Sequence, residues 1–280
     1  SSTYNVGIGD HALGCNTTGE KNTSVGGGSA RTQTSAVGTT AVGFRAGNQN
    51  TTGSCNTVVG MCALFANTTG QRNTASGAKA LNDNTTGDFN TASGYMALKS
   101  NTTADDNIAV GFCSMHANTS GTQNIGIGRR ALALSQSGNY NVAVGGCALY
   151  TSVSGDCNTA VGFKALELNT NCNNDAFGYF ALKNNSTGTQ NVAIGQGASC
   201  LTTTGSFNTS VGYRAAHHTT SGSYNTAIGR RALHHNTTSG VNTAVGFQAA
   251  FCNGGHNNTA IGENASGSKT SACYTVAIGN

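Results

Sequence analysis

The 280-residue sequence has no proline and no tryptophan, and only 9% of its residues are charged. Each shortage excludes something. About a quarter of an average globular domain is Asp, Glu, Lys or Arg, so the charged surface of an ordinary enzyme is missing. With no proline and no glycine at every third position, a collagen helix is excluded. Disordered chains are usually rich in proline and charge, and this chain is poor in both. No apolar run approaches the ~20 residues of a membrane-spanning helix. The net charge of +4 is small and its Arg and Lys are scattered, which gives no nucleic-acid surface. None of the ten cysteines forms a C-x-x-C pair, so a zinc ribbon or thioredoxin-like centre has no support.

What is abundant is Gly (40), Asn (34) and Thr (39), together 113 of 280 residues. This excess follows a period. Stretches like Asn-Thr-Ala-Val-Gly begin at 5, 22, 39, 56, 73, 90, 107, 124, 141, 158, 174, 191, 208, 225, 242, 258 and 275. Fourteen of these sixteen intervals are 17 residues and two are 16. The consensus is N-T-A-V-G-F-x-A-L-x-x-N-T-T-G-x-x, numbered below as positions 1 to 17.

Position 5 is Gly in all seventeen starts, from Gly9 to Gly279. An absolute Gly column implies φ > 0 or a backbone too crowded for a Cβ. Positions 2 and 4 are mostly Thr, Val or Ile around a small residue at 3, the period-two signature of a short strand. Position 8 is Ala or Ser, position 9 is Leu or Met in ten of sixteen units, and N-T-T-G at 12 to 15 is turn chemistry. One strand per short repeat, with no helix-length apolar pattern, predicts an all-β parallel β-solenoid of about sixteen coils. The expected interior is positions 2, 4, 8 and 9. The repeated Asn at position 1 is expected to form a hydrogen-bonded ladder along the stack. Residues 1–280 read as a single repeat domain, uncapped at both ends. Ser1 follows no leader sequence, which reads as a processed chain or a fragment.

The N-T-A-V-G-x-x-A core resembles the S-V-A-I-G-x-x-A repeat of trimeric autotransporter adhesin heads of the YadA-like type. It is still more similar to the N-T-A-x-G-x-x-A-L arrays of some phage and giant-virus fibre proteins. The resemblance covers Asn5 to Gly279 and implies a left-handed parallel β-roll on a virion or cell surface. It also implies a surface glycan or matrix ligand. The adhesin coil is about three residues shorter, so the N-T-T-G turn is extra here, and no stalk, anchor or chaperone domain is visible.

Eight Asn-x-Ser/Thr triplets share position 12: Asn16, Asn50, Asn67, Asn84, Asn101, Asn118, Asn185 and Asn236. On an exposed turn of a secreted chain they would be N-glycosylation sites; in any other compartment they are simply good turn residues. Ten cysteines fit an oxidising compartment. Cys157 and Cys172 lie at one corner of adjacent coils and form the best candidate disulfide.

The ten acids form no persistent column, and the serines have no consistent His partner. No catalytic or cofactor-binding residue is identified. One cluster stands out: His217 and His234 share position 10, and His218 and His235 share position 11. Exposed imidazoles of a duplicated coil are the plainer reading; a metal site is the alternative.

These features lead to the expectation of a non-enzymatic, extracellular structural fibre subunit that self-associates, with end-to-end stacking as the expected mode. An adhesin or fibre shaft binding host glycan or matrix is the alternative. Ice binding is a third reading, and it requires positions 2 and 4 to face outward.

Overall fold

A computed structural model describes residues 3–267 and 271–279. It has seventeen strands of three residues each, one at every repeat start. The chain divides into two compact units, Ser1–Tyr140 and Asn141–Asn280. The first carries β1 (Val6–Ile8) to β8 (Ile125–Ile127), and the second β9 (Val142–Val144) to β17 (Val276–Ile278). Within each unit consecutive strands pair in parallel and in register, so identical positions stack. Thr23, Thr40, Thr57, Thr74 and Thr91 form one such row, and Thr209, Thr226, Thr243 and Thr259 another. Each unit is a parallel β-solenoid. Among the described residues no helix is long and apolar enough to cross a membrane.

The inter-coil bonding extends far beyond the strands. Gly60 N–H donates to Val42 (2.8 Å), Lys79 to Met61 (3.0 Å), Leu81 to Ala97 (3.0 Å) and Thr85 to Thr102 (2.8 Å). Nearly every part of a coil therefore needs its backbone N–H, which accounts for the missing proline. At position 5 the Gly requirement has two causes. Gly60 has φ 135°, and a Cβ there would sit 2.6 Å from the carbonyl oxygen of Gly77 in the next coil. Positions 7, 9 and 17 also adopt left-handed backbone, yet they carry side chains: Cys62 (φ 54°), Leu64 (φ 46°) and Arg72 (φ 54°) belong to this set. Such geometry is uncommon outside Gly, Asn and Asp. The stacked bonds hold it in place.

The expected interior is corrected in one respect. The middle residue of the strand is the buried one: Ala41, Ala75, Ala92, Ala143 and Ala160 are fully buried, whereas positions 2 and 4 are half-buried or exposed. Positions 8 and 9 lie inside as expected, with Ala63, Leu64, Ala80, Leu81, Ala165 and Leu166 at zero exposure. The reason is volume. In the ten units with Leu or Met at position 9, that side chain fills the space between the strand and the turn, leaving room only for a small residue opposite. Exceptions at position 3 are compensated. Val58 packs against Gly47, where a Leu usually sits, and Gly126 faces Met115, whose Cγ would lie 2.7 Å from a Cβ added at Gly126. Buried serines at positions 3 and 8 find partners: Ser24 Oγ donates to Ser29 C=O (2.8 Å) and Ser114 Oγ to Gly126 C=O (2.7 Å).

Two asparagine columns brace the coil. At position 1, Oδ1 accepts the next coil's backbone N–H (Asn73 N–H to Asn56, 2.9 Å; Asn90 to Asn73, 2.9 Å). Its Nδ2 donates to the carbonyl at position 15, as from Asn73 to Gly87 (2.8 Å). At position 12 the amides bond directly to one another, Asn67 to Asn50 (2.8 Å), Asn84 to Asn67 (2.9 Å), Asn101 to Asn84 (2.8 Å) and Asn118 to Asn101 (3.0 Å). Each also donates three residues onward, as from Asn84 to Gly87 C=O (3.0 Å).

Position 12 is therefore not an outer turn. Asn50, Asn67, Asn84, Asn101, Asn118, Asn185 and Asn236 are buried; Asn16, nearer one end, is half-buried and donates to Gly19 C=O (3.1 Å). Asn185 donates to Asn169 (2.8 Å) and Gly188 (2.9 Å), and Asn236 to Ser239 C=O (2.8 Å). Along the ladder both Nδ2 hydrogens are committed inside the coil, so the carboxamide that would carry a glycan is not presented to solvent.

Candidate functional site

Two features stand apart from the asparagine ladders: an outward sheet face and a histidine cluster. The face arises from simple alternation. Positions 1 and 3 point inward, so 17, 2, 4 and 6 point outward. Position 4 is almost all Val or Ile, and Val59, Val110, Ile194 and Ile228 are 37–44% exposed. Position 2 supplies the Thr rows beside it. Positions 6 and 17 add exposed aromatics, which the structure shows stacked along the coil axis rather than folded over the core edges. Tyr95 and Phe112 have centroids 5.5 Å apart, Phe163 and Tyr179 5.7 Å, and Phe207 and Tyr224 4.8 Å. Arg45 lies over Phe44, Arg72 over Phe89 and Arg214 over Tyr213, each guanidinium 5.2–5.3 Å from the ring centre. Within each unit the result is an exposed band rich in aliphatic, Thr and aromatic side chains, interrupted by polar residues such as Ser76, Ser93 and Asp175. Bands of this kind mark interaction surfaces.

The position 16 column borders this band and is structural. Its side chains accept the backbone N–H one coil earlier, as Asp88 does from Gln71 (2.7 Å) and Asp105 from Asp88 (2.7 Å). Cys172 does the same from Asp156 (3.2 Å). The coil containing Cys172 is one residue short, which brings this thiol into register with Asp156 rather than with Cys157. Cys157 and Cys172 are accordingly both free thiols, and the expected disulfide is absent.

The histidines lie in the second unit. Position 10 rings stack along the coil axis: His217 on His234 (5.4 Å, 10°) and His234 on Phe251 (5.2 Å, 12°). Position 11 rings do likewise, His218 on His235 at 4.9 Å. His218 meets His217 and His234 edge-on at 4.8 and 5.0 Å. His234 is only 7% exposed, whereas the sequence suggested exposed rings. Its Nδ1 and Nε2 have no hydrogen-bond partner, nor does Nδ1 of His217. Burial, then the neighbouring His218 and Arg214, push the His217 pKa down to about 4. Burial and the His235 and His218 rings push that of His234 down to about 3. His218 is lowered as well, again mainly by burial. These rings are neutral at physiological pH. Sequence spacing located the cluster; the burial of His234 had no sequence signal beyond its place next to Leu233.

No protein-family profile, no curated protein and no solved structure matches this chain.

Proposed function

We propose that the chain is a non-enzymatic structural repeat protein of an extracellular or virion-surface fibre, in which copies associate side by side through the outward face of the sheet. One observation carries this reading: positions 2 and 4 present mostly Thr, Val and Ile outward in register, with exposed Phe and Tyr beside them at some of positions 6 and 17. Apolar residues at position 4 are not needed to fill the coil, so their surface is free to be buried against another molecule. The likeness of N-T-A-V-G-x-x-A to adhesin-head and viral-fibre repeats supports the same class. Light scattering coupled to size exclusion, with electron microscopy of the same sample, tests it. Concentration-dependent oligomers or fibres are expected. A chain that stays monomeric at its solubility limit would remove the proposal.

Ice binding is a second reading, favoured by the outward direction of positions 2 and 4. Thr23 to Thr91 and Val25 to Val59 stand in rows at the strand spacing of about 4.8 Å. Thermal hysteresis in a nanolitre osmometer decides it, and its absence ends this reading.

A further inference from the structure

We infer that His217, His218 and His234 form a binding site for one late first-row divalent cation, of the Zn²⁺, Ni²⁺ or Co²⁺ class, with three imidazole nitrogens as ligands. Ligand nitrogens of the three rings all lie within 4.8 Å of one another. The edge-on placement of His218 against His217 and His234 turns three rings from two coils toward one point. Buried nitrogens without partners are uncommon in folded proteins and ask for an explanation; here three of them, Nδ1 of His217 and both nitrogens of His234, fall in one cluster. A bound cation would satisfy one nitrogen on each ring.

The donor chemistry selects the ion. No carboxylate belongs to the cluster, so hard, oxygen-seeking Mg²⁺ and Ca²⁺ are disfavoured. Neutral imidazole suits Zn²⁺, Ni²⁺ and Co²⁺, and the lowered pKa values keep the rings in that form. Arg214 and Arg231 lie close enough to act on the rings. Their charge opposes any cation held by electrostatics alone, which further favours ions that form strong metal–nitrogen bonds. Cys200 lines the same cavity as His217 but does not belong to the group whose ligand atoms converge within 4.8 Å. Three imidazoles then leave a fourth position to solvent, the open arrangement of a tetrahedral ion. Bonds of about 2.0–2.1 Å require the three nitrogens to close together by up to about an ångström and a half. His217 and His218 are only half-buried, which leaves them room to turn. His235, stacked on His218 but outside the group, is the internal control.

The experiment uses the full chain labelled with ¹⁵N-histidine, titrated with Zn²⁺ alone and followed by imidazole nitrogen shifts. The expected result is one equivalent of Zn²⁺ that moves His217, His218 and His234 together before His11, His116, His235 or His256 respond. A His218→Gln variant, whose fold is checked by circular dichroism, should lose at least tenfold in affinity in calorimetry. Equal response of all histidines at the same concentrations would overturn the proposal. So would uptake reported only at the thiols, read from a cobalt–sulfur charge-transfer band when Co²⁺ replaces Zn²⁺.

Discussion

Replacing Asn84 with Ala tests the inner amide ladder. Asn84 is fully buried. Its Nδ2 donates to Asn67 Oδ1 (2.9 Å) and Gly87 C=O (3.0 Å), and its Oδ1 accepts from Asn101 (2.8 Å). Truncation removes three bonds and leaves one acceptor, Asn67 Oδ1, and one donor, Asn101 Nδ2, without that partner in the interior, while Gly87 C=O keeps its bond from Asn73 (2.8 Å). A buried group left unsatisfied costs about 1–3 kcal/mol, and water entering the new space recovers part of it, so a loss of about 2–4 kcal/mol is expected. In a stacked repeat the loss is felt locally before it is felt globally. Amide hydrogen exchange is therefore the assay. The Thr85 and Thr86 amides both bond to Thr102 C=O (2.8 and 3.2 Å). If they exchange by local opening, their rates should rise by about one and a half to three orders of magnitude, since about 1.4 kcal/mol is tenfold. Amides several coils away should change little. A rise below about fivefold, equivalent to roughly 1 kcal/mol, would refute the ladder as a stabilising element. As a companion test, the Asn84 sequon should stay unmodified when the chain is secreted folded from a glycosylating host, as peptide mass spectrometry would show.

Other outcomes follow from the same geometry. Gly126→Ala should destabilise its coil by about 1–3 kcal/mol through overpacking against Met115, and adding Met115→Ala should recover part of that loss; equal urea midpoints for all three proteins would contradict it. Thr202→Asn should stabilise by about 1–2 kcal/mol in the same melts, because Asn185 Oδ1 and the Thr219 hydroxyl are both buried without partners. The histidines make stability pH-dependent. The folded pKa values of His217 and His234, about 4 and about 3, lie below the ordinary 6.5. The unfolded chain thus binds more protons between these limits, and stability is full above pH 6.5 and falls as pH drops toward 4 and 3. At pH 5 each ring accounts for about 2 kcal/mol at most, which solvent screening of the half-exposed His217 reduces. Exchange of the His218 and His235 amides in chelator should accelerate between pH 6.5 and 5 more than that of Thr85.

The coil number, the parallel stacking and the Gly column were legible because each has one physical cause repeated many times. Position 5 must be Gly because a Cβ would strike the next coil, and no side chain escapes that. Inside and outside were harder to separate. Thr-Ala-Val reads as a strand with either face buried, and β-branched residues normally win the interior. Here Leu64, Leu81 and their equivalents occupy the interior from the opposite wall, which leaves room only for Ala at position 3. N-T-T-G reads as a turn and is one, but a turn that points its Asn inward. The same four letters serve both orientations. The left-handed residues at 7, 9 and 17 had no signal, since Leu, Arg and Lys are ordinary where Gly or Asn would be expected. Among the histidines, pairing at one coil's spacing was visible, while burial depended on the ring of Phe251 closing over His234.

Sedimentation velocity of the wild-type chain beside a Val59→Lys, Val110→Lys variant tests the central claim most directly. Both valines belong to the exposed face of the first unit, at 44% and 37% exposure. Both proteins should fold alike by circular dichroism, with the wild type associating and the charged variant remaining monomeric. A variant that unfolds would return position 4 to the core, and one that associates as well as the wild type would place the contact elsewhere.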